Sequence, residues 1–230
     1  MAITAAQIVA DACAIAKVPG FLSQGGRMLN LALQDLVMHR NLKVNLITST
    51  IIIPPNSYGP FNLESNYLRT YDMFYTVSGT PYFLNACSLK EIDNENYQSG
   101  LASYPYEWAS DLSGVPTVGY GVMYIYPATG TQLSVTHRYY NQQPDISAPE
   151  SSNTVPWFSD QDYLTVATAT RLMRFTDDER YPLYVQECDR LLENHLMTEG
   201  DEQQVVKEVI LDPRRFRVGG SNRPTKLDPF

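Results

Sequence analysis

The chain has 230 residues, of which 43% are hydrophobic and 18% charged, with a net charge of −8 and three cysteines. That length supplies one large domain or two small ones, and no run of about 18 apolar residues is present to cross a bilayer. Cys13, Cys87 and Cys188 are odd in number and far apart, which excludes a disulfide framework or metal cluster and fits free thiols in a reducing compartment.

The N-terminus, Met1-Ala2-Ile3-Thr4, lacks the basic start and apolar stretch of a signal peptide, so synthesis in a cytoplasm is expected. Thr4 to Gln7 spells a capping box that opens an Ala-rich helix, with Ile8, Ala12 and Ile15 on one side. Its small residues Ala5, Ala6 and Ala12 allow another helix to approach closely. Val18-Pro19-Gly20 ends it. Ser23 is the expected cap of a second helix, in which Leu29, Ala32, Leu33, Leu36 and Val37 repeat at helical spacing to about His39 or Arg40.

From Asn41 the pattern becomes β. Val44, Leu46 and Ile51-Ile52-Ile53 read as a strand stopped by Pro54-Pro55. Tyr71–Val77 and Tyr82–Ala86 form an expected hairpin around Ser78-Gly79-Thr80-Pro81, and Leu89–Glu95 a short helix or turn. Tyr104–Ser110, Val122–Tyr126 and Gln132–Tyr139 give further strands, the last two joined at Ala128-Thr129-Gly130. Residues 41–156 hold 13 of the 16 tyrosines and 10 of the 15 prolines, a bias that suggests a small antiparallel sandwich or barrel.

After a loop over Asn141–Val155, helical sequence returns. Ser159, with Asp160 and Asp162, is the expected start of a third helix whose apolar face holds Leu164, Ala167, Leu172 and Phe175. Thr176 to Glu179 reads as a second capping box. The fourth helix carries Tyr181, Tyr184, Val185, Cys188, Leu191, Leu192, His195 and Leu196 as one stripe and ends at Gly200. Val205, Val206, Val209 and Ile210 suit a strand, and Pro213–Phe230 is a basic stretch without periodicity.

The expected fold is therefore α+β. A helical bundle comes from both chain ends (1–40 and 157–200), with an inserted antiparallel β sandwich or barrel-like domain at 41–156 and an extended C-terminal arm at 201–230. Charge is uneven across these parts. Residues 213–230 hold five basic side chains against one acidic, while the two blocks 41–156 and 157–200 hold four basic against nine acidic each. An acidic body is a poor duplex-DNA binder, because affinity there comes mainly from neutralising phosphates.

Few motifs carry chemistry. Thr117 to Gly121 spells a potassium-filter sequence, which needs four loops between membrane helices and is a coincidence here. His39, His137 and His195 have no ligand spacing, and His195 on its apolar stripe reads as a core histidine. No GxSxG, Walker A or GxGxxG pattern occurs. Glu91, Asp93, Glu95, Glu107 and Asp111 are the only hint of paired-carboxylate catalysis, which requires two carboxyls facing one another. Such clusters also arise by composition in an acidic chain. No catalytic residue, metal or other cofactor is expected. In the arm, Arg214, Arg215, Phe216 and Arg217 suit an anchor in an acidic or aromatic groove, a phosphate contact, or a plain solvated tail; the Arg and Phe content favours the anchor over the phosphate contact.

The order of elements, with Val155 to Leu164, Leu172 to Glu179 and the basic tail, resembles the head-to-tail adaptors (gatekeepers, or tail accessory proteins) of short-tailed bacteriophages. That resemblance implies a structural, non-enzymatic virion protein of the neck, assembled as a dodecameric ring on the portal protein. It also implies contact with tail nozzle and fibre proteins, and a channel that packaged double-stranded DNA crosses without sequence-specific binding. Under it, Arg214, Arg215, Phe216 and Arg217 are portal-binding candidates, and Tyr139, Tyr140 and Trp157 are candidates for subunit or tail contacts; Trp157 equally suits plain core. A tail-associated peptidoglycan hydrolase and a nucleic-acid binder using the basic tail stand as alternatives.

Overall fold

A computed structural model describes residues 3–96, 104–115 and 119–199, and helices from the two sides of the β region pack together in it. α1 (Ala5–Ile15) starts with the capping box expected at Thr4 and Gln7. α2 (Leu22–His39) follows, and α4 (Gln161–Thr176) packs against α1, α2 and α5 (Tyr181–Glu199). One buried cluster unites them: Ile8 and Val9 of α1, Leu29, Leu33 and Leu36 of α2, Leu164 and Leu172 of α4, and Leu192 and Leu196 of α5. Backbone bonds seal the join. Ala5 N–H donates to the Thr154 carbonyl at 2.8 Å and Ala6 N–H to that of Ser152 at 3.1 Å.

The close approach of α1 and α2 depends on α2 as much as on the alanines of α1. A Cβ added at Gly25 would lie 2.9 Å from Val9 Cγ1 and 3.0 Å from Cys13 Sγ. Ala5 and Ala12 are buried as the sequence suggests, whereas the role of Gly25 was not legible there.

Between the helices lie two four-stranded sheets. In the first, β1 (Leu46–Ile53), β8 (Leu133–Asn141), β3 (Tyr67–Val77) and β4 (Thr80–Phe83) lie side by side, all antiparallel. In the second the order is β2 (Phe61–Asn62), β7 (Val122–Tyr126), β6 (Glu107–Asp111) and β5 (Asn85–Ala86). The β5–β6 pair is parallel, so the sheets are not purely antiparallel. Neither closes into a barrel. Ile53, Met73 and Val135 of the first sheet and Trp108, Met123 and Ile125 of the second share one buried cluster. Short α3 (Leu89–Asn96) follows β5.

Several expected boundaries move for identifiable reasons. Ser23 lies inside α2, whose N-cap is Phe21 without a side-chain bond. Asp160, not Ser159, caps α4, accepting from Tyr163 N–H at 2.8 Å. The Thr176–Glu179 capping box does not form. Thr176 still belongs to α4 and its hydroxyl donates back to the Leu172 and Met173 carbonyls, while Asp177 takes the left-handed C-cap position. Phe175 is 64% exposed although it shares a helical face with buried Leu164 and Thr168, because it stands in the last turn of α4.

The β3–β4 turn is tighter than expected. Ser78 and Gly79 have φ of 50° and 85°, the two-residue geometry that suits a hairpin, so Thr80 and Pro81 already pair with Val77 and Thr76. Pro81 is tolerated because β4 is an edge strand. The connection at Ala128-Thr129-Gly130 leads from one sheet to the other, since β7 and β8 do not pair. Leu42 and Ile146 pack with the helical cluster, so the β unit proper begins and ends slightly inside 41–156. The expected strand at Val205–Ile210, Gly200 and the arm lie outside the described residues.

Candidate interaction site

The two units meet where α2 ends, and one arginine organises that junction. Arg69, on β3, donates from Nη1 to the Val37 and Met38 carbonyls at 3.2 and 3.1 Å. Its Nη2 donates to the Arg40 carbonyl at 2.7 Å and to Asn41 Oδ1 at 2.8 Å, and its Nε to the same oxygen at 3.1 Å. The last carbonyls of a helix have no intrahelical partner, and a cation there also meets the negative end of the helix dipole. The guanidinium lies 4.9 Å from the centre of the Tyr140 ring. Arg69 thus caps α2 and fastens β3 to it at once.

Tyr140 and Tyr139 therefore serve the interior. Each is only 3% exposed. Tyr140 packs edge-on against Tyr71, with ring centres 5.9 Å apart, as well as beneath Arg69. Tyr139 stacks on His137 at 5.0 Å and its hydroxyl donates to Asn66 Oδ1 at 3.1 Å. This corrects their reading as surface contacts, because both faces of β8 are covered at its C-terminal end, on one side by the sheet interior and on the other by the junction.

His137 sits among these rings, fully buried, with Nε2 3.0 Å from Thr70 Oγ1. Burial pulls its pKa down from 6.5 to about 4, so the ring is neutral at pH 7. His195 is the core histidine expected of it: Nδ1 is 3.8 Å from Asp160 Oδ2 and its ring packs 4.4 Å from Phe158. His39 forms the last turn of α2.

Beside the junction a cleft of about 270 Å³ opens between α2 and the stretch after β8. Leu33, Val37 and Met38 line one side, Gln142 to Asp145 the other, and Trp157 closes it. Asn30 fixes this stretch by a reciprocal pair, donating to the Ile146 carbonyl at 3.0 Å and accepting from its N–H at 3.1 Å. Gln34 Nε2 donates to Asp145 Oδ1 at 2.8 Å, and Gln143 Nε2 to Asn45 Oδ1 at 3.0 Å. Trp157, half-buried, stands edge-on to Phe158, its ring centre 5.7 Å away. It packs against the helical cluster, as the core reading expected, and also forms part of the cleft wall.

Two further surfaces carry large exposed side chains. On the helical unit, Phe21 and Phe175 meet edge-to-face at 6.4 Å, and Phe175 lines a hollow with Met28, Leu31, Asp35 and Arg171. On the β unit, the rings of Tyr82 and Tyr104 lie parallel within 6°, beside exposed Phe83.

Two carboxylates of the insertion, Glu91 and Asp111, are engaged in local hydrogen bonds. Glu91 accepts from the Ser88 N–H and hydroxyl at 2.7 and 2.8 Å, a local cap of α3. Asp111 accepts from Ser113 N–H at 2.8 Å. These bonds hold both carboxyls below their ordinary range, the opposite of what a general acid needs. Among the described residues no group of three or more His, Cys, Asp or Glu side chains is placed to hold a metal, and no helix is long and apolar enough to cross a membrane. Arg214, Arg215, Phe216 and Arg217 lie outside the described residues. No protein-family model matches this chain, and no curated protein matches it either.

Proposed function

We propose that this chain is a structural subunit of a phage neck: a ring adaptor that binds the portal protein above and the tail nozzle and fibres below, extending the channel through which double-stranded DNA passes. In its finer form the reading is a two-ended helical bundle with an inserted two-sheet β domain and a C-terminal arm, assembled as a dodecamer. The observation that carries it is the outer face of the helical unit. Phe21, Leu22, Leu31 and Phe175 are all exposed there, and Phe21 and Phe175 are already in contact. Apolar residues that cluster outside a core mark an interface more often than chance placement does. The Arg69 junction, which ties β3 to the end of α2, supports the same reading, since a connector must hold its two halves together.

Negative-stain imaging of the purified chain mixed with portal rings from the same virus tests the proposal. An added layer on one end of the portal is expected. Portal rings that remain bare at micromolar concentrations of the chain would sink it. The hydrolase alternative gains no support from the insertion, where Glu91 and Asp111 hold local backbone positions.

A further inference from the structure

The cleft closed by Trp157 has a chemistry that selects its occupant. At about 270 Å³ it falls below the roughly 300–1,000 Å³ of sites that enclose small molecules, and is the size of a seat for one or two side chains. Its apolar floor comes from Leu33 and Val37, both almost fully buried, and from Met38, 54% exposed at the rim. Trp157 gives an aromatic wall and Asp145 a carboxylate. Such a site takes an aromatic ring flanked by guanidinium groups: the ring on the apolar floor, one cation over the indole, another at the carboxylate.

The chain itself carries that sequence at Arg214-Arg215-Phe216-Arg217. Residues 213–230 hold five basic side chains and one acidic, the remainder of the chain 12 basic and 24 acidic, so the body attracts this segment before any contact is made. Residues 200–213 extend to about 46 Å at roughly 3.3 Å each, comparable with the roughly 43 Å width of a body of this size, so the segment reaches a large part of its surface. Asp145 also borders the neighbouring hollow lined by Arg27. Its charge is therefore shared, and the Phe216 contact is the main one.

We infer that Arg214–Arg217 seats in the α2–Trp157 cleft of the same chain before assembly, with Phe216 on the Leu33–Val37–Met38 floor. The seat does not depend on the adaptor reading. If that reading holds, binding of the portal competes with the seat, and the arm is released only where a partner offers a better groove.

The test uses the full chain with p-benzoylphenylalanine in place of Phe216, irradiated alone over a range of concentrations and mapped by mass spectrometry. Adducts at the monomer mass on residues 33–38, 142–145 or 157, with a yield independent of concentration, are expected. A Val37→Arg change in the same chain should reduce that yield at least fivefold. Adducts elsewhere on the body overturn the inference. Adducts on the cleft found only at dimer mass, rising with concentration, overturn it in favour of a second copy as host. In parallel, Phe216→Ala in the full chain should raise acrylamide quenching of tryptophan emission, with buried Trp108 contributing a constant background; unchanged quenching counts against the seat. No portal is present in either measurement, so a failure here and a failure to bind portal are separate results.

Discussion

Replacing Arg69 by methionine keeps most of the stem and removes the guanidinium. Two of its bonds, to the Val37 and Arg40 carbonyls, are partly buried. Hydrogen bonds to charged groups contribute about 1.5–3 kcal/mol when sheltered, and partial exposure brings these to about 1 kcal/mol each. Stacking on Tyr140 adds about 0.5–1 kcal/mol. The exposed bonds to Met38 and Asn41, with the helix dipole, add about 0.5–1 kcal/mol. The expected loss is therefore about 3–4 kcal/mol, a fall in Tm of roughly 6–16 °C for a chain of this length. Arg69→Lys should recover little, because one ammonium cannot span four acceptors on two sides. Urea unfolding followed by circular dichroism measures both variants. A loss below about 1 kcal/mol for Arg69→Met, or full recovery with lysine, would refute the reasoning that this guanidinium couples the two units.

His137 makes stability depend on pH. The folded chain keeps the ring neutral, so as pH falls the unfolded chain takes up its proton first. The contribution is fully present above pH 6.5 and is lost as pH falls from 6.5 to about 4, amounting to about 3 kcal/mol at about 1.4 kcal/mol per pH unit. Urea midpoints at pH 7.5 and 4.5 check this, and His137→Gln should flatten that part of the curve. Gly25→Ala forces a Cβ against Val9 and Cys13 and should cost about 1–3 kcal/mol, whereas Gly20→Ala, with nothing within 4 Å, should change the midpoint little. Asp160→Ala removes the cap of α4 and should cost about 0.5–2 kcal/mol in thermal unfolding. Phe175→Ser, at an exposed site, should leave the Tm nearly unchanged yet weaken self-association on the portal, as read by sedimentation.

The layout was largely legible because it rests on local pattern. The Thr4 capping box, the Leu29–Val37 stripe and the alternation of Val122–Tyr126 each specify their element from nearest neighbours alone. Partner choice was less legible. Nothing in Val122 to Tyr139 says that β7 and β8 belong to different sheets, because strand pairing depends on residues far away in sequence. Thr176 shows the limit of motif reading: its hydroxyl can cap the next helix or bond back within its own, and packing of α4 decided for the latter. The junction was hidden altogether. Arg69 is one arginine within Tyr-Leu-Arg-Thr-Tyr, and its role depends on α2 carbonyls about 30 residues earlier. Tyr139 and Tyr140 looked like contact residues because aromatic content alone does not distinguish an interface from a buried seam.

The central claim is that this chain is built to join a portal. The most direct measurement is the mass, by multi-angle light scattering, of the full chain alone, of its mixture with the portal of the same virus, and of the same mixture with Arg214, Arg215, Phe216 and Arg217 all changed to alanine. The account predicts a mixture heavier than the portal by a fixed multiple of the chain's 26.0 kDa, with twelve copies expected from the phage-adaptor resemblance, and no gain in mass for the substituted chain. A portal peak of unchanged mass with the natural chain would contradict it.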